Sequence, residues 1–174
     1  MPPRPKRTKH TPLDPDRIAR AALASIDRHG LEALSVRTLG ARLGVEGMAL
    51  YKHYRSKEAI LDAVAELLIL ELVVPAPNAQ GWKVRALQMG SAYRAISQRH
   101  PKAFPLLGMR RFTTPRALVL LDRIFFALRA DGLSTAQAVE VYRAVANWSN
   151  GAILDELAGM AQTARKLPRT PIPR

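Results

Sequence analysis

Residues Ser35 to Lys57 read SVRTLGARLGVEGMALYKHYRSK, and this run predicts two short helices joined by a tight turn. Ser35 is a good N-cap, since its hydroxyl can accept an orphan amide proton of the first helical turn. Leu34 and Leu39 occupy the two positions of a hydrophobic staple around it. Val36, Leu39 and Leu43 follow at i, i+3 and i+7, one buried stripe. Gly44 comes directly after Leu43, where a helix ends most easily in a left-handed residue. Val45 restarts the apolar pattern, and Leu50 with Tyr54 gives the second helix its buried side. Gly40 is the small residue that lets the two helices cross closely.

A pair of helices arranged so is a helix-turn-helix, and its outward face suits DNA. Gly47, Met48, Tyr51 and Lys52 fall opposite Leu50, near the start of the second helix, where such motifs touch base edges. Arg55 and Lys57 follow, and Ser56 can cap the next helix, so free amides and cations stand where a phosphate could sit. The competing reading is an αα-hairpin that serves only as core. Two caps, a helix-breaking glycine and a basic exposed face together favour the first.

The run from Asp14 to Leu68 resembles the DNA-binding head of the TetR (tetracycline repressor) family. The matching residues are AALASIDRHGLEALSVRTLGARLGVEGMALYKHYRSKEAILDAV, above all the G-x-x-x-L-S-x-R-x-L-x-x-x-L-G-V and L-Y-x-H-Y-x-S-K-E blocks. The resemblance implies an all-α, homodimeric, ligand-released transcriptional repressor with double-stranded operator DNA as partner. Carried over by motif position, it makes Arg37 and Tyr51 the expected base contacts, Arg37 as a fork on guanine O6 and N7. Met48 and Ala49 are expected at thymine methyls, Gly47 through its backbone, and Lys52 on the same face. His53, Tyr54 and Lys57 match positions near phosphates, which position without specifying. For His53 and Tyr54, a packing role is the alternative.

Composition agrees with a nucleic-acid partner. The 174 residues carry a net charge of +13 with a pI near 11.0, which favours a polyanion. The excess is denser in residues 1–57, at +7, than in the remaining 117, at +6. No aromatic RNA-binding motif or large cationic amphipathic helix is visible. Apolar residues make up 48% of the chain, enough for a real core. The absence of cysteine excludes disulfides and thiolate metal sites. Residues 1–12 lack the apolar core of a signal peptide, and the stretch Ala59–Val74 is interrupted by Asp62, Glu66 and Glu71, too polar to span a membrane. A cytoplasmic location is expected.

In chain order, residues 1–12 form a basic arm, expected to be disordered, with Arg4, Lys6, Arg7 and Lys9, able to follow a phosphate backbone or to be a plain solvated tail. Residues 13–74 form the head and a connecting helix. Asp14-Pro15 opens helix one, whose Ile18, Ala22 and Ile26 point inward before Gly30 stops it. Ser56 opens the connecting helix, expected to run to Val74 with Pro75 closing it. Residues 75–81, PAPNAQG, form the linker. Residues 82–160 form the body, in four helical segments. Trp82, Ala86, Met89, Tyr93 and Ile96 mark the first; Lys102–Leu107 is a short one broken by Pro105. Thr114-Pro115 caps the third, with Leu118, Leu121, Phe125 and Leu128 inward. Ser134 to Gln137 is a capping box for the last, which carries Val139, Tyr142, Ala146, Ile153 and Leu157. Residues 161–174 read as a basic, proline-bearing tail. No stretch has strand period, so the fold is all-α.

The body also resembles the tetracycline-repressor C-terminal domain, from W-x-x-R-A-L-x-x-x-S-x-Y-R to F-F-A-L-R-A-D-G-L-S, with two departures. The short helix KAFPLL lacks the histidine with which such relatives hold a magnesium–tetracycline chelate, so no metal and no cofactor is expected. The sequence given stops at Arg174, short of the family's further interface helices, so pairing would rest on the Ala136–Leu157 helix. An apolar small-molecule effector is expected among Met89, Tyr93, Phe104, Leu107, Met109, Phe112, Phe125 and Trp148, although aromatic residues at helical spacing also read as core. Arg94, Arg110 and Arg111 near this group would favour an anionic effector, although each reads equally as surface charge. No catalytic residue is indicated: His100 precedes Pro101 at a helix end, and no H-E-x-x-H, G-x-S-x-G or phosphate-loop motif occurs. A repressor is thus the first reading; a shortened, partner-binding scaffold with weak DNA affinity is the second.

Overall fold

The computed structural model describes residues 12–76, 81–110 and 114–166, with side chains through 159. The basic arm, most of the linker, Arg111 and Phe112 lie outside the described residues. Those described contain seven α-helices, one short 3-10 helix and no strand.

Helix α1 spans Pro15–His29. Asp14 accepts from the Arg17 amide at 2.8 Å, Pro15 supplies the pre-set first turn, and Gly30 closes the helix at φ 87°. Helix α2 spans Val36–Leu43, and Ser35 and Thr38 cap each other reciprocally. Gly44, at φ 73°, takes the left-handed position that a side chain resists. Helix α3 spans Lys57–Ile69, capped by Ser56 on the Ala59 amide. It stops four to five residues before the expected end at Val74. Val74 precedes Pro75, which disfavours helical backbone there, and Val73 adds a β-branched residue. Residues 72–76 run on without helix, so Leu72 and Val74 pack against the body instead.

The body follows as α4 (Gly81–Arg99), α5 (Pro105–Met109), α6 (Pro115–Ala130) and α7 (Thr135–Lys166). Pro105 starts α5 rather than breaking it, as suits a ring that fixes φ and needs no amide partner. Ser134 and Gln137 form the expected reciprocal cap. Helix α7 passes the boundary drawn at residue 160. Its described last turns, AGMAQTARK, are rich in good helix formers and are helical through Lys166. The inward faces also shift by a residue or two. On α6, Ala117, Leu120, Ile124 and Leu128 are buried while Leu118 is exposed; on α7, Ala138 is buried and Val139 is not.

One apolar core runs through head and body without a break. Ile18, Ile26, Leu39, Leu50, Ile60, Val64 and Leu68 belong to the same cluster as Ile96, Phe104, Leu106, Leu107 and Ile153. Polar ties cross the joint as well. The His100 imidazole sits between Asp27, at 2.8 Å from Nδ1, and Glu71, at 3.1 Å from Nε2. Arg110 donates to Asp62, and Thr114 donates to Glu66. His100, assigned no role by its place at a helix end, ties the end of α4 to α1 and to the segment after α3.

A second cluster, around Met89, Leu120, Ile124 and Leu128, fills the body. Beside it lies a buried ion pair: Arg85 meets both Asp131 oxygens, at 2.5 and 2.7 Å, with side-chain exposures of 1% and 2%. The same guanidinium donates to the carbonyls of Pro75 and Ala76. This fork holds the segment leaving α3 against α4 and the end of α6.

Candidate nucleic-acid interface and ligand cavity

Residues Gly47–Lys52 form a 3-10 helix rather than an α-helix, with Ala49 N–H to Glu46 and His53 N–H to Leu50 at 2.9 and 3.0 Å. The tighter winding is a form that short helical pieces often take. Tyr54 therefore lies beyond the helix, not on its second turn. Leu50 is the anchor, fully buried in the head core. Gly40 sets how closely the two helices approach: a Cβ built there would stand 2.8 Å from both N and Cα of Gly47.

The opposite side is open. Met48 is 71% and Tyr51 39% exposed; Arg37, Lys52, His53 and Arg55 are exposed, while Gly47, Ala49 and Lys57 are partly covered. Arg37, Lys52, Arg55 and Lys57 make no ion pair among the described residues, so their charge faces outward. Tyr54 behaves differently. Its hydroxyl donates to the Pro15 carbonyl at 2.9 Å, and burial, with Asp16, Glu66 and Asp14 nearby, raises its pKa. The phenol thus ties the end of the motif to the first turn of α1, which is the packing alternative rather than a free phosphate contact. Tyr54→Phe is expected to cost about 1 kcal/mol, seen as a lower urea midpoint with an unchanged slope.

Between α3, α4, α6 and α7 lies a cavity of about 240 Å³. Of the eight effector residues expected from sequence, Met89, Tyr93 and Leu107 line it. Phe104 is buried behind Tyr93, its ring edge-on at 5.1 Å. Phe125 packs edge-on against Tyr142 at 5.3 Å and supports the wall without lining it. Met109 and Trp148 are corrections: they are 67% and 75% exposed on the outer surface, because their helical faces turn away from the body core. The sequence reading missed Leu120, Ile124, Val141, Tyr142, Ser149 and Asn150. The apolar periodicity of α6 and α7 was their only signal, and it does not separate cavity wall from core. The arginines near this group are engaged elsewhere, Arg94 with Glu156 and Arg110 with Asp62, and neither lines the cavity. The expected pull on an anion is therefore absent from the wall. Among the described residues no group of His, Cys, Asp and Glu is placed to hold a metal ion, and no helix is long and apolar enough to cross a membrane.

Comparison with known proteins matches both parts. Residues 18–64 match "Bacterial regulatory proteins, tetR family", and residues 74–174 match "Tetracyclin repressor-like, C-terminal domain". An HTH-type transcriptional regulator of Saccharopolyspora erythraea is 30% identical over 155 residues, covering 88% of this chain and 66% of the relative. The class A tetracycline repressor of transposon 1721 from Escherichia coli is 29% identical, covering 94% and 79%. The solved structure of ActR from Streptomyces coelicolor in complex with actinorhodin superposes with a TM-score of 0.79 at 27% identity, covering 85% and 71%. The chain thus spans roughly two thirds to four fifths of these relatives. With both halves matched and a helix-turn-helix open to solvent, the chain belongs to the tetR family of bacterial regulatory proteins, which are transcriptional regulators and not enzymes.

Proposed function

We propose that the protein is a homodimeric, cytoplasmic repressor that binds a short palindromic operator and leaves it when a small apolar molecule enters the body cavity. The observation that carries this reading is the open, cationic face around Tyr51, mounted on a body whose core is continuous with the head. Two such faces, one per protomer, would enter successive major grooves about one helical turn apart. The exposed side of α7, with Ala144, Trp148, Gly151 and Ala152, supports that helix as the pairing surface. The cavity wall includes Ile69 of α3 and Leu72 just beyond it, so an occupant would press on the helix that adjoins the reading motif. Release is then a population shift: the effector must prefer a conformer whose two heads no longer match the half-site spacing. The wall offers neither histidine nor carboxylate for a magnesium chelate, so a metal-chelated effector is not part of the proposal. Nothing among the described residues favours the alternative of a partner-binding scaffold.

Footprinting on the promoter next to the protein's own gene tests the proposal, and sequence-blind protection would defeat it. Two substitutions separate reading from holding. Tyr51→Ala is expected to lower preference for the operator over random DNA about tenfold, the order of one good base contact. Lys57→Ala is expected to weaken binding to every sequence and to reduce the slope of log affinity against log salt by about one. Gel-shift titrations at several salt concentrations measure both.

A further inference from the structure

We infer that the cavity takes an uncharged ligand, mostly apolar, whose polar groups are met by the hydroxyls of Tyr142 and Ser149 on α7. This rests on the reading of the cavity as the effector site and narrows the class of molecule it accepts. Among the described residues none that lines the cavity carries a charge. Among the described residues the nearby arginines have carboxylate partners, Arg94 with Glu156 and Arg110 with Asp62, and the body's buried pair, Arg85 and Asp131, is closed on itself and on two backbone carbonyls. An ion of either sign entering this space would shed its water and find no counter-charge.

The wall nevertheless has polar points. Ser149 is only 6% exposed, and its hydroxyl has no hydrogen-bond partner among the described residues. Tyr142 is held edge-on by Phe125, and its hydroxyl is likewise without a partner there. Burial raises the Tyr142 pKa, so the phenol stays protonated and able to donate. By contrast, the Tyr93 hydroxyl is engaged with Asn150 at 3.3 Å, and burial raises its pKa too. Tyr142 and Ser149 stand seven residues apart on one face of α7, about 10 Å along the axis. Hydroxyls that face an apolar cavity without a protein partner discriminate between ligands that can pair with them and ligands that cannot.

Calorimetry on the full chain with four probes of one shape tests this: naphthalene, 2-naphthol, naphthalene-2-sulfonate and 2-naphthylmethylammonium. The expected order places 2-naphthol about fivefold tighter than naphthalene, the worth of one hydrogen bond, and both ions at least tenfold weaker than 2-naphthol. Tyr142→Phe and Ser149→Ala should together erase the advantage of 2-naphthol over naphthalene, and an unchanged circular-dichroism spectrum reports that the variants are folded. Either ion binding as tightly as 2-naphthol overturns the inference, as does a naphthol preference untouched by both substitutions. If naphthalene binds with no rank order, only this inference falls. If none of the four binds, the effector-site reading falls with it.

Discussion

Gly40→Ala is expected to remove operator recognition and to lower the stability of the head by about 1–3 kcal/mol, the range for forcing a methyl group into a packed contact. The new Cβ would stand 2.8 Å from N and Cα of Gly47 and 2.9 Å from the Val45 carbonyl oxygen. All three are backbone atoms, so no side chain can swing aside. The 3-10 helix must move as a body, carrying Met48 and Tyr51 out of register with the groove. Gly47→Ala makes a graded comparison. Its Cβ meets the Val36 carbonyl oxygen at 3.1 Å, tight but short of collision, and a smaller loss should follow. Thermal unfolding together with gel-shift titration gives the order; equal effects at Gly40 and Gly47 would contradict the crossing geometry.

The second large effect is expected at Asp131. Asp131→Asn leaves the Arg85 guanidinium buried without a compensating charge, a change that costs about 3–5 kcal/mol when a buried pair loses one member. It also loosens the grip on Pro75 and Ala76, because the same guanidinium holds both carbonyls. The double change Arg85→Met with Asp131→Leu should recover much of the loss, since both charges then leave together. Chemical denaturation of the three variants measures this. A pH dependence accompanies it. The hydrogen bonds from Arg85 hold the Asp131 carboxyl below its ordinary 3.8. A depressed folded-state pKa contributes stability that is fully present above the unfolded value and is lost as pH falls through the folded one. The pair should therefore weaken only below about pH 3.8, and the double variant should lack that acid-sensitive component.

What was legible in the sequence divides by distance along the chain. Asp14, Ser35, Ser56, Thr114 and Ser134 each cap a helix within three residues of themselves, and all five were readable because the bond they make is local. The Gly40 crossing was readable for a similar reason, since Gly47 is seven residues away. Helix lengths were less so. The early stop of α3 at Ile69 has no local signal, and its apolar pattern continues past the stop because Leu72 and Val74 still pack, only without helix. The cavity and its supports were the least legible. Arg85 and Asp131 lie 46 residues apart, and nothing in their spacing pairs them. Trp148 and Met109 looked like ligand walls because large apolar residues are usually inside; here their helical phase puts them outside. The DNA-facing residues sit between these extremes, because a short motif fixes both its core side and its outer side at once.

The unbroken core through the joint has one more consequence. A reading head excised at residue 74 would carry away Leu61, Ala65 and Leu68 stripped of Phe104, Leu106 and Leu107, and with them part of its own reason to fold. The two halves are then expected to unfold as one cooperative unit rather than as independent modules. A lesion deep in the body, touching neither DNA nor ligand, can then empty the promoter simply by thinning the folded population.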